Sequence, residues 1–291
     1  MRAQNLHRRR PRQTQERRMR SILSAGATDV GRCREGNEDC FAVLPDHGLL
    51  LVADGMGGHE QGEVASAMAI NEISTRYMAC WPFMSEAAGV RALHEAIAQA
   101  SEAIYQAGQT VSKRSMGTTV VAALVYDRRL FLACVGDSRA YLKRGDNLLQ
   151  VTRDQTMATA LVDRGHYPTD AQAYKTMHAG YAHALSQFVG CQYPLDVALT
   201  TVNLRRGDVL LLCSDGLTGM LTDKEIQEAL SAEADPAKAC AKLIELANAA
   251  GGEDNITAIV ARFEGDALPP PTPQDVADLK REPYVLAPTA G

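Results

Sequence analysis

Four aspartates share one local setting. Asp54 follows the apolar run LLLVA and precedes Gly55, and Asp137 follows FLACVG. Asp215 follows LLLCS and precedes Gly216, and Asp254 precedes Asn255 and the run ITAIV. Glu38 and Asp39 stand directly before FAVL. A carboxylate at a strand end can point into a cleft, whereas mid-strand it would be buried among apolar groups. Several such acids that converge repel one another unless cations neutralise them. An oxygen donor set without His or Cys selects a hard ion, magnesium or manganese. The glycines after Asp54 and Asp215 permit tight turns and close backbone approach, which leaves carbonyl oxygens free as further ligands. A single Asp-Gly is an ordinary turn signal. The joint occurrence of these acids, with the glycine density of DGMGG at 54–58, is what points to metal chemistry.

Other phosphate and hydrolase chemistries leave no trace. No stretch fits the phosphate-binding loop G-x-x-x-x-G-K-[ST], the dinucleotide loop G-x-G-x-x-G, the zinc motif H-E-x-x-H or the nucleophile turn G-x-S-x-G. No cysteine precedes an arginine at C-x5-R spacing; Cys134 and Arg139 come one residue short. The seven cysteines are an odd number with no C-x-x-C, which argues against a disulfide framework and a thiolate zinc site and for free thiols in a reducing compartment. His59 has no partner for a zinc site and reads as a loop or helix-start residue.

The elements that must position the acids follow from periodicity. Segments 22–29, 41–45 and 49–54 read as strands, the last two forming a hairpin around Asp46, His47 and Gly48. Segments 63–79 and 86–108 have helical periodicity, with a break near Pro82. Strands return at 118–126 and 129–136, then at 138–144 and 148–152, as two more hairpins. Residues 153–195 are polar and irregular, a long insert of the kind that usually serves function. Strands at 197–204 and 208–215, helices at 222–231 and 236–250, and a strand at 255–263 complete the body. Short hairpin loops imply antiparallel pairing rather than βαβ alternation. The expected class is α+β: two antiparallel sheets forming a central β-sandwich, with a helix pair on each outer face.

Charge is unevenly placed in the 291 residues, which carry a formal −5. Residues 1–20 hold eight arginines against Glu16, or +7, so the remainder carries −5 − 7 = −12. So acidic a body suits cation binding and is a poor match for a nucleic-acid backbone. The basic arm 1–20 has too few apolar residues to fold, and structured pattern begins directly after Met19, a candidate start. From Leu268 the run LPPPTP reads as a poorly ordered tail. The expected division is an extension at 1–20, a folded domain at 21–265 with its insert at about 153–195, and a proline-rich tail at 266–291. No apolar run approaches the ~20 residues of a membrane span, and no leader pattern is evident.

In sequence order, TDVGRCREGNEDCF (28–41), LLVADGMGGHEQGEVAS (50–66), SMGTTVVAAL (115–124), CVGDSRAYL (134–142), VTRDQT (151–156), LLCSDGLTGML (211–221) and GGEDNITAIV (251–260) make the chain resemble the bacterial branch of the PPM (PP2C-type) metal-dependent protein serine/threonine phosphatases. That resemblance implies hydrolysis of phosphoserine and phosphothreonine by a water or hydroxide between two divalent metals, Mn2+ or Mg2+, with a third, weaker site. It implies Asp54 as the carboxylate bridging both metals and the Gly55 carbonyl on the second. It implies Asp215 and Asp254 on the first, with Glu38 and Asp39 holding outer waters. Asp137 joins Asp215 at the third site, and Arg34 grips the substrate phosphate. Where eukaryotic members often carry a histidine after the Asp-Gly pair, this chain has Met56, which leaves the proton donor open between a metal-bound water and His59. The insert matches the family's variable flap; many bacterial relatives have an arginine before Ala-Leu-Gly there, and Gln187 and Phe188 occupy that stretch. The implied partners are phosphoproteins, namely an opposing eukaryotic-type Ser/Thr kinase or an FHA-domain protein, with no nucleic acid and no membrane, for a stand-alone cytoplasmic monomer.

Overall fold

A computed structural model describes residues 22–57, 60–111 and 116–287. The basic arm, Met19, Gly58 and His59 lie outside the described residues.

The strands are β1 (Ile22–Asp29), β2 (Asp39–Leu44), β3 (Leu49–Met56), β4 (Gly117–Thr118), β5 (Val120–Tyr126), β6 (Arg129–Val135), β7 (Arg139–Arg144), β8 (Asn147–Gln150), β9 (Ala198–Asn203), β10 (Asp208–Cys213), β11 (Ile256–Phe263) and β12 (Glu282–Pro283). One sheet has the order β1-β11-β10-β7-β8; the other runs β12-β9-β6-β5-β3-β2, with β4 turned aside to pair with the end of β3. All the pairings are antiparallel. The long helices are α1 (Glu60–Cys80) and α2 (Glu86–Val111) on the second sheet, and α7 (Asp223–Ala232) and α8 (Pro236–Ala250) on the first. Between them come α3 (Met157–Asp163), α4 (Asp170–Thr176), α5 (Ala179–Ala182) and the single turn α6 (Asp215–Thr218), and α9 (Pro273–Ala277) follows.

The central strands are apolar at nearly every position because both of their faces are covered. In β3, Leu49, Leu51 and Ala53 pack under the α1–α2 layer, while Leu50 and Val52 face the other sheet. In β10, Val209, Leu211 and Cys213 pack under the α7–α8 layer, while Leu210 and Leu212 face inward. The strand period of two thus feeds three stacked cores. The helices start on local signals: Thr222 and Glu225 close a capping box on α7, and Asp235 caps α8 ahead of Pro236.

Two expectations need correction. The insert 153–195 contains the helices α3, α4 and α5, and their apolar faces meet in a small core of Ala158, Ala173 and Ala182. It is polar overall because that core is built from alanines. The stretch from Leu268 is bound to the body as far as residue 287. Leu268 is 6% exposed. Arg205 pairs with Asp275 at 2.8 Å, β12 extends the second sheet beyond β9, and Tyr284 lies edge-on to Phe131. Its prolines sit where they suit ordered structure: Pro273 opens α9 and Pro283 lies on an edge strand.

Candidate active site

At one end of the sandwich the inter-sheet core turns polar without a change of strand parity. Leu50 and Val52 are followed on the same face by Asp54, Leu210 and Leu212 by Ser214, and, running back along β11, Phe263, Ala261 and Ile259 by Thr257. Asp39 stands opposite Asp54 in the β2–β3 register, so the two carboxylates share that face. The register alone therefore brings two acids and two hydroxyls to one point.

Each acid is held through its backbone or a neighbour. The Asp54 N–H donates to Thr119 Oγ1 at 3.1 Å, and its carbonyl accepts from the Thr119 N–H at 2.8 Å and Thr118 Oγ1 at 2.9 Å. Ser214 Oγ donates to Asp39 Oδ2 at 2.7 Å and accepts the Thr257 N–H at 2.9 Å. Asp39 is 9% exposed, and its other oxygen, Oδ1, has no hydrogen-bond partner. Asp137 follows Gly136, whose N–H donates to Gln155 Oε1 at 2.9 Å. Behind Asp137, Arg139 grips Asp154 through both Nε and Nη2.

Glycine is required where backbones meet. A Cβ on Gly55 would lie 2.1 Å from the Gly62 carbonyl oxygen and 2.6 Å from that of Glu38; one on Gly216 would lie 2.1 Å from the Asn255 oxygen. No side chain fits at such distances, so the two glycines let the loops close on the acids.

A cleft of about 320 Å³ results. Arg34, Glu38, Asp54, Gly55, Asp137, Asp215 and Asp254 all line it, and Asp39 lies buried at its floor. Of the candidate metal and phosphate ligands, all but Asp39 line this one cleft, and Asp39 pairs with Asp54 in the β2–β3 register. Arg34 Nη2 meets Asp254 Oδ2 at 2.6 Å.

The electrostatics are those of uncompensated negative charge. Burial, then the charges of Asp39, Asp215 and Asp137, push the Asp54 carboxyl well above the usual range. Asp39 is pushed up to about 7, chiefly by burial, against hydrogen bonds from Thr257 and Ser214 that favour its charge. Asp137 is likewise pushed up to about 7, by burial and then by Asp215 and Asp154. Asp215 is raised by burial, less a hydrogen bond from Asp54.

Among the described residues no three His, Cys, Asp or Glu side chains form a closed metal-ligating group. Instead Asp254 turns to Arg34. The donor set nonetheless fits hard divalent cations. It is all oxygen, it repels itself, one buried carboxylate oxygen is unsatisfied, and the glycine cradle leaves backbone carbonyls at the cleft.

Sequence reading missed several supports. Asn255 links three segments: its Oδ1 accepts the Glu38 N–H at 2.8 Å, and its Nδ2 donates to the Val30 and Gly36 carbonyls at 2.9 Å each. Its place beside Asp254 was the available signal. Ser214 gave only the signal of strand parity. Gln187 turns to accept the Asp196 N–H at 3.2 Å, and Phe188 packs against Gly117. The flap residues that line the cleft are His183 and Leu185.

The family model for protein phosphatase 2C matches residues 34–260. The serine/threonine phosphatase stp of Listeria innocua is 33% identical over 237 residues, 80% of this chain and 92% of that protein. The structure of the S. agalactiae serine/threonine phosphatase has a TM-score of 0.77 at 30% identity, over 84% of this chain and 100% of that one. The catalytic domain of the serine/threonine protein phosphatase PstP in complex with two manganese ions has a TM-score of 0.69 at 34% identity, over 84% and 99%. With the fold, the cleft and these likenesses in agreement, the chain belongs to the protein phosphatase 2C family, as a bacterial PPM-type serine/threonine protein phosphatase.

Proposed function

We propose that this chain hydrolyses phosphoserine and phosphothreonine in proteins, with two hard divalent ions, Mn2+ or Mg2+, held by the strand-end acids and a third, weaker one at Asp137 and Asp215. The observation that carries the reading is the convergence of Asp39, Asp54, Asp137, Asp215 and Asp254 at the wet end of a dry sandwich, where burial and neighbouring charge push up the carboxyls of Asp39, Asp54 and Asp137, and burial that of Asp215. Asp54 would serve both ions, the Gly55 carbonyl would help hold one, and Asp215 and Asp254 would hold the other. Glu38 and Asp39 orient surrounding water. The ions would supply Lewis acidity and a water that deprotonates near neutral pH. The two manganese ions of the PstP catalytic domain support that assignment.

Arg34 receives the phosphoryl group. Its pairing with Asp254 is exposed on both sides, 52% and 37%, and exposed pairs are weak. A phosphate dianion offers the guanidinium fork two oxygens in place of one. Asn255 fixes the backbone of Glu38, and so the wall beside Arg34. The acidic cleft leaves Arg34 to select a compact dianion rather than a polyanionic strand. We place the protein in the cytoplasm as a monomer, acting on phosphoproteins such as an opposing Ser/Thr kinase or an FHA-domain protein. Among the described residues no helix is long and apolar enough to cross a membrane.

Phosphate release from phosphoserine, phosphothreonine and phosphotyrosine peptides, with manganese, magnesium or EDTA, tests this. Metal-dependent release from the first two is expected. Release that persists in EDTA, or turnover confined to phosphodiesters, would refute it.

A further inference from the structure

We propose that His183, on the flap, is the general acid of the reaction: it protonates the seryl or threonyl oxygen as the phosphorus–oxygen bond breaks. This rests on the phosphatase reading above.

His183 lines the same cleft as Arg34, Glu38, Asp54, Asp137, Asp215 and Asp254. It is the one histidine of that lining, and no carboxylate or carbonyl is hydrogen-bonded to its ring, among the described residues. Backbone links set its position. The Met157 N–H donates to the Ala184 carbonyl and the Ser186 N–H to the Gln155 carbonyl, each at 2.8 Å. The Gln155 N–H in turn donates to the Gly136 carbonyl at 2.8 Å, one residue from Asp137. Further along, Thr118 and Val189 exchange backbone hydrogen bonds, at 3.0 and 2.8 Å, beside the Thr119 that holds Asp54. The imidazole also rests on the Tyr174 ring, 4.7 Å between centroids, and that phenol is fixed by a 2.8 Å hydrogen bond to Thr156. The segment carrying His183 is therefore tied to the cleft floor before and after it, while the ring stays accessible.

The other charged side chains that line the cleft, among the described residues, are poor proton donors. Arg34 cannot give up its proton, and the acids are committed to cation binding. In the step itself a water oxygen bonds to phosphorus and its proton passes to solvent. The phosphorus–oxygen bond of the substrate breaks with its electron pair left on the side-chain oxygen. That oxygen takes the His183 proton, and solvent restores the imidazolium.

Leaving-group dependence tests the assignment. An alkoxide is a strong base that needs a proton as it departs, whereas nitrophenolate departs without one. In His183→Ala, kcat for a phosphothreonine peptide should fall about 100-fold while kcat for para-nitrophenyl phosphate stays within about threefold. Manganese affinity by calorimetry should be unchanged. His183→Arg, which keeps charge without a transferable proton, should resemble the alanine variant. Equal loss on both substrates, no loss on either, or rescue by His183→Arg would overturn the proposal. Wild-type protein inactive on both substrates with manganese would instead sink the phosphatase reading.

Discussion

The cleft floor and the flap reach the same site by different physics. The floor is built from strand ends whose direction follows from period-two burial: once Leu50, Val52, Leu210 and Leu212 face the opposite sheet, Asp54 and Ser214 have nowhere else to point. The flap has no such constraint. Its helices meet over three alanines, and backbone links at Gln155 and Val189 tie it to the floor. A site can thus combine a charge cluster held by the global fold with a wall held by a few hydrogen bonds.

The largest expected difference lies in Asp215→Asn. Turnover should fall on the order of 1,000-fold, the several kcal/mol that metal-assisted charge stabilisation supplies. In EDTA the same variant should melt no lower than wild type, because it removes one member of a self-repelling cluster. A lower melting temperature in EDTA would show that Asp215 is there for the fold.

The floor should also set the pH response of the metal-free protein. Carboxyls raised in the folded state bind more protons than the unfolded chain does between the ordinary carboxylate range and about 7. Their charged forms oppose folding, so stability in EDTA should be highest at the acid end of that window. It should decline as pH rises through about 7, with Asp39 alone contributing on the order of a few kcal/mol. Saturating manganese should flatten the decline. Denaturant melts at pH 5.5 and 8 check it, and a metal-free protein that gains stability with pH would contradict it.

Ser214→Ala comes next. Asp39 would lose the 2.7 Å hydrogen bond that keeps one oxygen in place, and manganese affinity should drop about 10- to 100-fold, as for other groups that orient metal ligands. Calorimetric titration measures it. The smallest effect belongs to the flap. Thr156→Ala frees Tyr174 and uncaps α3, so peptide turnover should fall within about tenfold while manganese affinity holds. An equal loss of metal affinity would erase the distinction between the two regions.

This contrast also explains what could be read from the chain. The central strands β3, β5, β6 and β10 were legible because each carries a continuous apolar run, and β1 at Ile22–Asp29 falls where the sequence reading puts it. Asp54 and Asp215 were legible because Asp-Gly at a strand end is a local signal, and the other acids because they stand beside apolar runs. His183 was not: neighbouring residues give no sign that a one-turn helix and a bridge from Thr156 to Leu185 aim that segment at the cleft. The C-terminal stretch misled because prolines in sequence mark both loose tails and ordered edges. Contacts distant in sequence, such as Tyr284 on Phe131 and Asp275 with Arg205, decide between them.

The central claim is that Asp54 organises a metal-dependent hydrolytic centre. Hydrolysis of para-nitrophenyl phosphate by wild type and Asp54→Asn, with manganese, magnesium, calcium or EDTA, tests it directly. Turnover that needs manganese or magnesium, vanishes in EDTA and is lost in a folded Asp54→Asn is the predicted result. Equal turnover in the variant, or full activity in EDTA, would contradict it.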